Sequence, residues 1–205
     1  GLAYDFVELL NLKEKGSYRF KVIVYPRKRI DAQLAAGKQG MVLFVNWEWM
    51  GADARNEYLW GPAIITDRNE IISRVNKKIE FDGTAKSLKG LVFGGLLGRQ
   101  YAGLMEAMKR KDIIRVNAGT EEQNIKKLLH GRVDVTTLSK SKLNQHIGSM
   151  QLEGQLHVSK TPLSSYTRHL LVTRNLESEF TFISEFSKGL AENIRWKTLL
   201  EKYGL

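Results

Sequence analysis

The run Asn46-Trp47-Glu48-Trp49-Met50 places two indoles around a carboxylate, and Trp60 follows shortly after. Aromatic faces at this density can sandwich the apolar body of a small ligand or stack on a guanidinium or other cation. Tyr25 and Arg27 close an alternating apolar stretch and are expected on the same rim. Further along, Thr136, Thr137 and Ser139 offer hydroxyls near the far end of an apolar run that begins at Val133. In open α/β layers, ligands gather beyond the carboxyl ends of the strands, which favours both groups of residues. They are binding groups and do not form a reaction centre. His130, His146, His157 and His169 lack the one-turn spacing of a metal-ligand pair, so each reads as a surface or hydrogen-bonding histidine. The chain has no cysteine, which excludes disulfides, thiolate nucleophiles and cysteine zinc sites. The glycines between Gly94 and Gly98 do not make the GxGxxG dinucleotide turn, no Walker lysine follows, and no serine sits in a GxSxG elbow. No catalytic residue, metal or cofactor is expected, and the chain is read as a non-enzyme.

The elements that must position these groups alternate along the chain. Phe6, Val7, Leu9 and Leu10 have helical spacing over residues 3–13, with Gly16 as the stop. Tyr18, Phe20, Val22 and Val24 alternate with polar neighbours and read as a strand. Pro26 opens a helix through Ile30 and Leu34 that Gly37 ends, and residues 41–45 form a continuous apolar run of the kind found in a buried parallel strand. The second half repeats the alternation: a strand at 91–93, a helix over 99–110, a strand at 113–116, a helix opened by the capping pair Thr120 and Gln123, and a strand at 133–138. His169 is followed by the apolar residues 170–172, and the chain ends in an amphipathic helical region that Gly189 interrupts. Strand–helix alternation of this kind points to a sheet covered by helices.

Charge divides unevenly along the sequence. Residues 75–168 carry 16 Lys and Arg against 8 Asp and Glu, while 1–74 carry 11 against 9 and 169–205 carry 5 against 5. A basic middle segment attracts anions. Its clusters, such as Lys109-Arg110-Lys111, lack the interleaved aromatics of a single-strand binder, so nucleic acid is not the expected partner. No apolar run approaches the ~18 residues of a spanning helix, and no signal peptide is visible, as is also true of a mature secreted chain.

Four segments, GLAYDFVELL, RIDAQLAAGKQGMVLFV, ARNEYLWGPAIITDRNEII and SLKGLVFGGLLGR with LLHGRVDV, resemble in order and spacing the family 3 extracellular solute-binding proteins. These are the receptors of polar amino-acid ABC transporters. The resemblance spans nearly the whole chain. It implies a type II periplasmic-binding-protein-like fold: two α/β lobes, each a mainly parallel sheet flanked by helices, joined by two hinge crossings. Lobe 1 would comprise residues 1–72 plus 173–205 and lobe 2 residues 75–168, with hinges near 70–75 and 168–174. It also implies a β-strand ahead of the first helix, so the chain is expected to be a divergent member without that strand in the residues at hand.

The resemblance gives Arg55 a role that spacing alone does not. A loop arginine flanked by Glu48, Asp53 and Glu57 would otherwise be read as a surface ion pair. In the family, the arginine of this segment grips a ligand carboxylate in two parallel hydrogen bonds. Three departures follow. Ala52 stands where a threonine is usual, Gly98-Arg99-Gln100-Tyr101 puts Arg99 in place of a hydroxyl, and Ser139 replaces an aspartate that meets the ligand ammonium group. The expected site is therefore Arg55, Trp47, Trp49, Tyr25, Arg27, Arg99, Tyr101, Thr136 and Ser139. Asp134 is assigned to local backbone bonding. The implied function is capture of a small polar, carboxylate-bearing solute in the cleft between lobes for ABC-type uptake, by a periplasmic monomer that delivers to a membrane permease. A ligand-sensing domain of a signalling system is the alternative, and a basic nucleic-acid-binding protein a third.

Overall fold

A computed structural model describes residues 1–13 and 18–205. The elements run α1 (Leu2–Lys13), α2 (Arg27–Ala35), β1 (Met41–Val45), α3 (Ala54–Glu57), β2 (Leu59–Trp60), β3 (Ile65–Arg74), β4 (Val92–Leu96) and α4 (Met105–Lys109). They continue through β5 (Ile114–Ala118), α5 (Glu121–Leu129), β6 (Val135–Ser139), α6 (Lys140–Met150), β7 (Leu156–Val158), β8 (Ser164–Val172), α7 (Glu177–Lys188) and α8 (Ile194–Lys202). The expected helix stop at Gly16 lies outside the described residues.

The chain divides into two compact units. Unit 1 holds Gly1–Thr66 and Tyr166–Leu205, and unit 2 holds Asp67–Ser165. In unit 1, β8 pairs antiparallel with β1 and with β2. The returning strand is thus the common partner, which is why the pairings here are antiparallel and not those of neighbouring parallel strands. The helices bury Phe6, Val7, Ile183, Leu190 and Trp196 against Ile64, Leu170 and Val172. Phe6 sits at the centre, edge-on to Phe44, Phe186 and Trp196 at 5.4, 5.9 and 5.4 Å.

Residues 18–24 were expected as a strand and form no strand pairing among the described residues. Instead Asn11 serves as the partner for one position. Its side chain donates Nδ2–H to the Phe20 carbonyl and accepts from the Phe20 N–H, both at 2.9 Å. Alternation keeps its meaning for packing only as far as Val22: Phe20 and Val22 join the core and Ile23 is exposed, but Val24, in phase with the first two, is exposed as well.

Unit 2 is built around β4, which lies parallel to both β5 and β6, and β3 adds antiparallel to β6. Period-2 alternation gives each face its own core. Ile71, Phe93 and Val135 pack with Leu104 and Ala107, whereas Ile72 and Leu138 pack with Ile125, Leu128 and Leu143. Thr120 caps α5 by accepting from Gln123 N–H at 3.2 Å, and Gln123 Oε1 accepts from Gly119 N–H at 2.9 Å. Asp134 accepts from Val92 N–H at 2.9 Å, a backbone role. The helix expected over 99–110 is confined to α4. Gly98 at φ 77° and Gly103 at φ 80° adopt left-handed turns that a helix cannot pass through.

Candidate functional site

The carboxyl end of β1 is where unit 1 assembles its aromatic groups. Phe44 has φ 59° and the β1–β8 register shifts between Val42 and Val45, so β1 bulges just before it ends. The bulge seats Val45 opposite His169 and leads directly into Asn46. Asn46 is buried and holds the next turn from both sides. Its Nδ2–H donates to the Thr167 carbonyl and its Oδ1 accepts from Glu48 N–H, both at 2.9 Å, capping the 3-10 turn Trp47–Trp49.

From this turn the two indoles go to different partners. Trp47 meets the His169 ring at 4.5 Å between centroids and stands edge-on to Trp60 at 6.0 Å. Trp60 Nε1–H donates to the Ala54 carbonyl at 2.9 Å, which ties α3 to β2. The helix α3 carries Arg55, whose guanidinium carbon lies 4.5 Å from the Trp47 ring centroid. Among the described residues no carboxylate pairs with Arg55 and no hydrogen bond occupies its donors. The guanidinium thus rests over the Trp47 ring while its N–H donors stay open to a partner. Glu57 and Asp31 act on another group: their charges, after burial, push the Tyr58 hydroxyl above its ordinary pKa.

Trp49 is 42% exposed and edge-on to Tyr166 at 5.2 Å. Its carbonyl accepts from Arg27 Nη2, and Arg27 Nε pairs with Asp31 at 2.7 Å. Arg27 thus reaches the same turn as Trp47 and Arg55. Among the described residues Tyr25 shares no hydrogen bond or ring contact with that turn. Arg29 stacks on Tyr25 at 4.4 Å, and Tyr25 lines a separate groove of about 520 Å³ walled largely by apolar residues such as Val22, Met41, Leu43 and Ile183.

Unit 2 places its expected residues in two settings. Arg99 lies 5.6 Å from the Tyr101 ring and donates to Asn69 Oδ1 at 3.0 Å. Tyr101 is a buried post for this loop. It packs edge-on to Phe93 at 4.9 Å, and its hydroxyl accepts from Leu96 N–H at 2.7 Å. Arg115 braces the loop by donating to the Leu96 and Arg99 carbonyls, each at 2.8 Å. Thr136 turns its hydroxyl onto the Gly94 carbonyl at 2.7 Å, within the sheet. Ser139 caps α6 and shares a 3.1 Å hydroxyl contact with Ser141, which donates to Asp67 Oδ2 at 2.9 Å. Alternation along β3 and β6 puts Asp67, Asn69, Thr137 and Ser139 on one face and Thr136 on the other.

Several participants were not anticipated: Thr167, Tyr166 and the buried His169 in unit 1, and Asp67, Asn69 and Ser141 in unit 2. Nothing in the spacing of SSYTRHLLV marks its histidine as a partner of Trp47, because the contact crosses from β8 to a loop far away in sequence. No group of three or more metal-ligating residues occurs among the described residues.

No protein-family model matches the chain, and no curated protein matches it. Solved structures do. An ancestral cationic amino acid solute-binding protein aligns over 100% of this chain and 86% of its own, with a TM-score of 0.73 and 13% identity. A mutant of ArgBP from T. maritima aligns over 99% and 84%, with a TM-score of 0.66 and 16% identity. The GluR0 ligand-binding core from Nostoc punctiforme, in complex with L-glutamate, aligns over 99% and 90%, with a TM-score of 0.67 and 16% identity. The chain accordingly has the mixed α/β fold of two-lobed, periplasmic-binding-protein-type domains.

Proposed function

We propose that the chain is a solute-binding protein that takes a small, carboxylate-bearing ligand, an amino acid or related anion, at the Arg55 edge of unit 1. The observation that carries this reading is a guanidinium lying over the Trp47 ring with no protein anion paired to it among the described residues. A charged planar fork held in place by an aromatic face accepts a carboxylate in two parallel hydrogen bonds and loses little freedom in doing so. Arg27 is tethered to the same turn through the Trp49 carbonyl, with its charge paired to Asp31. The amino-acid-binding proteins among the neighbours support this class of ligand. By the same reading the chain works in the periplasm, carries out no catalysis and delivers its ligand to an ABC-type permease.

A thermal-shift screen against amino acids, dicarboxylates and related anions tests the proposal. Ligand at a hundred times its Kd stabilises the folded state by about 2.7 kcal/mol, which for a chain of this length raises Tm by roughly 5 to 10 °C. Arg55→Ala is expected to weaken the best ligand about 10- to 100-fold, the loss of a charge-assisted pair. Unchanged affinity in that variant would remove Arg55 from the site.

A further inference from the structure

We infer that His169 is a positioning residue: it sets the plane of the Trp47 indole and, through it, the presentation of Arg55. Its effect on ligand binding rests on the reading of Arg55 given above.

The imidazole is buried and engaged at both nitrogens. Nδ1 faces the Gly61 carbonyl at 3.0 Å and Nε2 faces Thr167 Oγ1 at 2.9 Å. A carbonyl oxygen only accepts, so Nδ1 carries the proton. In the neutral ring Nε2 then accepts from the threonine hydroxyl. Both anchors are themselves fixed. Gly61 N–H donates to the Leu170 carbonyl at 3.0 Å beside the β2–β8 pairing, and the Thr167 carbonyl accepts from Asn46. His169 is therefore tied to the end of β2 on one side and, through Thr167 and Asn46, to the end of β1 on the other.

Against this pinned ring lie the two indoles. Trp47 is 4.5 Å away with a 45° tilt, and Trp60 is 6.4 Å away and nearly perpendicular at 86°. An indole bonded to the chain by a flexible side chain has several orientations open to it. Contact with a ring that cannot turn removes most of them. Because Arg55 rests on Trp47 at 4.5 Å, the direction of its open donors follows from that choice. A histidine that was merely a hydrogen-bonded filler of the core would have no influence on an exposed arginine across the indole.

The decisive readout needs no ligand. In the ¹⁵N-labelled chain, the Arg55 Nε–H proton stacked on Trp47 carries a ring-current shift; Arg55→Ala assigns the signal and Trp47→Leu defines its unstacked position. His169→Phe keeps a flat ring and removes both tethers. It is expected to move the Arg55 signal at least halfway to the unstacked position and to weaken L-glutamate or L-arginine, whichever binds, about tenfold. Thr167→Val removes one tether with little change in volume, should move the signal in the same direction by less, and decides the matter if the phenylalanine variant does not fold. A long-range ¹H–¹⁵N histidine spectrum should show His169 protonated at Nδ1. An Arg55 signal left in place by Thr167→Val or by a folded His169→Phe, or a ring protonated at Nε2 alone, overturns the inference. If the signal moves while Arg55→Ala binds the amino acid as well as wild type does, the positioning stands and the proposed function of Arg55 falls.

Discussion

At the scale of single residues, unit 1 separates the group that holds the site from the group that is offered. Asn46 is 4% exposed and uses both ends of its amide, so its loss leaves the Thr167 carbonyl and the Glu48 N–H without partners. Asn46→Ala is expected to cost about 1–3 kcal/mol in urea unfolding and to loosen the tryptophan turn. Arg55 is the opposite case. It is exposed and, among the described residues, held only by its contact with the Trp47 ring, so Arg55→Ala should leave stability nearly unchanged, within about 0.5 kcal/mol, while removing ligand affinity. A residue whose removal costs binding and not stability is the signature of a recognition group. Of the expected site residues, Trp47, Trp49, Arg27 and Arg55 meet around one turn. Tyr25 stacks instead with Arg29, and Thr136 and Tyr101 use their hydroxyls within the framework of unit 2.

At the scale of elements, local signals were dependable where the chain satisfies itself and less so where partners decide. Thr120 and Gln123 are a capping pair because their spacing alone brings side chain to backbone, and α5 begins there. Thr120→Ala is expected to lower stability by about 1 kcal/mol, read from the urea midpoint. Residues 18–24 alternate as a strand does, yet pairing needs a second chain segment at about 4.8 Å, and alternation says nothing about where one will be. The early helix boundary near Arg99 failed for a related reason. Apolar residues at Tyr101, Leu104, Met105 and Met108 have helical spacing, but a left-handed glycine at 98 precedes the segment, another at 103 divides it, and Tyr101 is drawn into the core as a separate post. The bulge at Phe44, which aims Asn46 and the tryptophans, left no trace in the apolar run MVLFV.

At the scale of the whole molecule, each unit has its own core and its own acid-sensitive fastening. Phe6 is fully buried among three aromatic rings in unit 1, and Phe6→Ala is expected to cost about 3–5 kcal/mol. One exposed and one half-buried carboxylate fasten the surfaces. Glu80 accepts from Lys160 N–H, from Ser159 and from His157, and the first of these does most to hold its pKa below the ordinary 4.5. Asp5 on α1 meets Lys202 and Tyr203 at the end of α8, and the hydrogen bond from Lys202 leads in holding its pKa below 3.8. In both cases the folded state binds its proton less readily than the unfolded state. Their contribution is therefore complete above about pH 5 and is lost as pH falls through the folded values. Glu80→Gln is expected to flatten the acid side of a Tm-against-pH profile, with the profiles of variant and wild type converging at low pH.

The sequence by itself determined what short-range chemistry can determine: helix α2 ending at Gly37, the capped start of α5, the local role of Asp134, the interruption at Gly189, and the absence of cysteine chemistry. It also named most of the residues that gather around the tryptophan turn. The tertiary structure decided which of them share a site. Trp47 meets His169 and Trp60, and Asn46 meets Thr167, through contacts that span more than a hundred residues or cross from loop to strand. Such contacts depend on strand register and on the bulge at Phe44, where one residue's shift turns a side chain to the other face of the sheet. Spacing along the chain carries the chemistry of each group. Only the register of β8 against β1 and β2 brings the imidazole under the indole on which Arg55 rests.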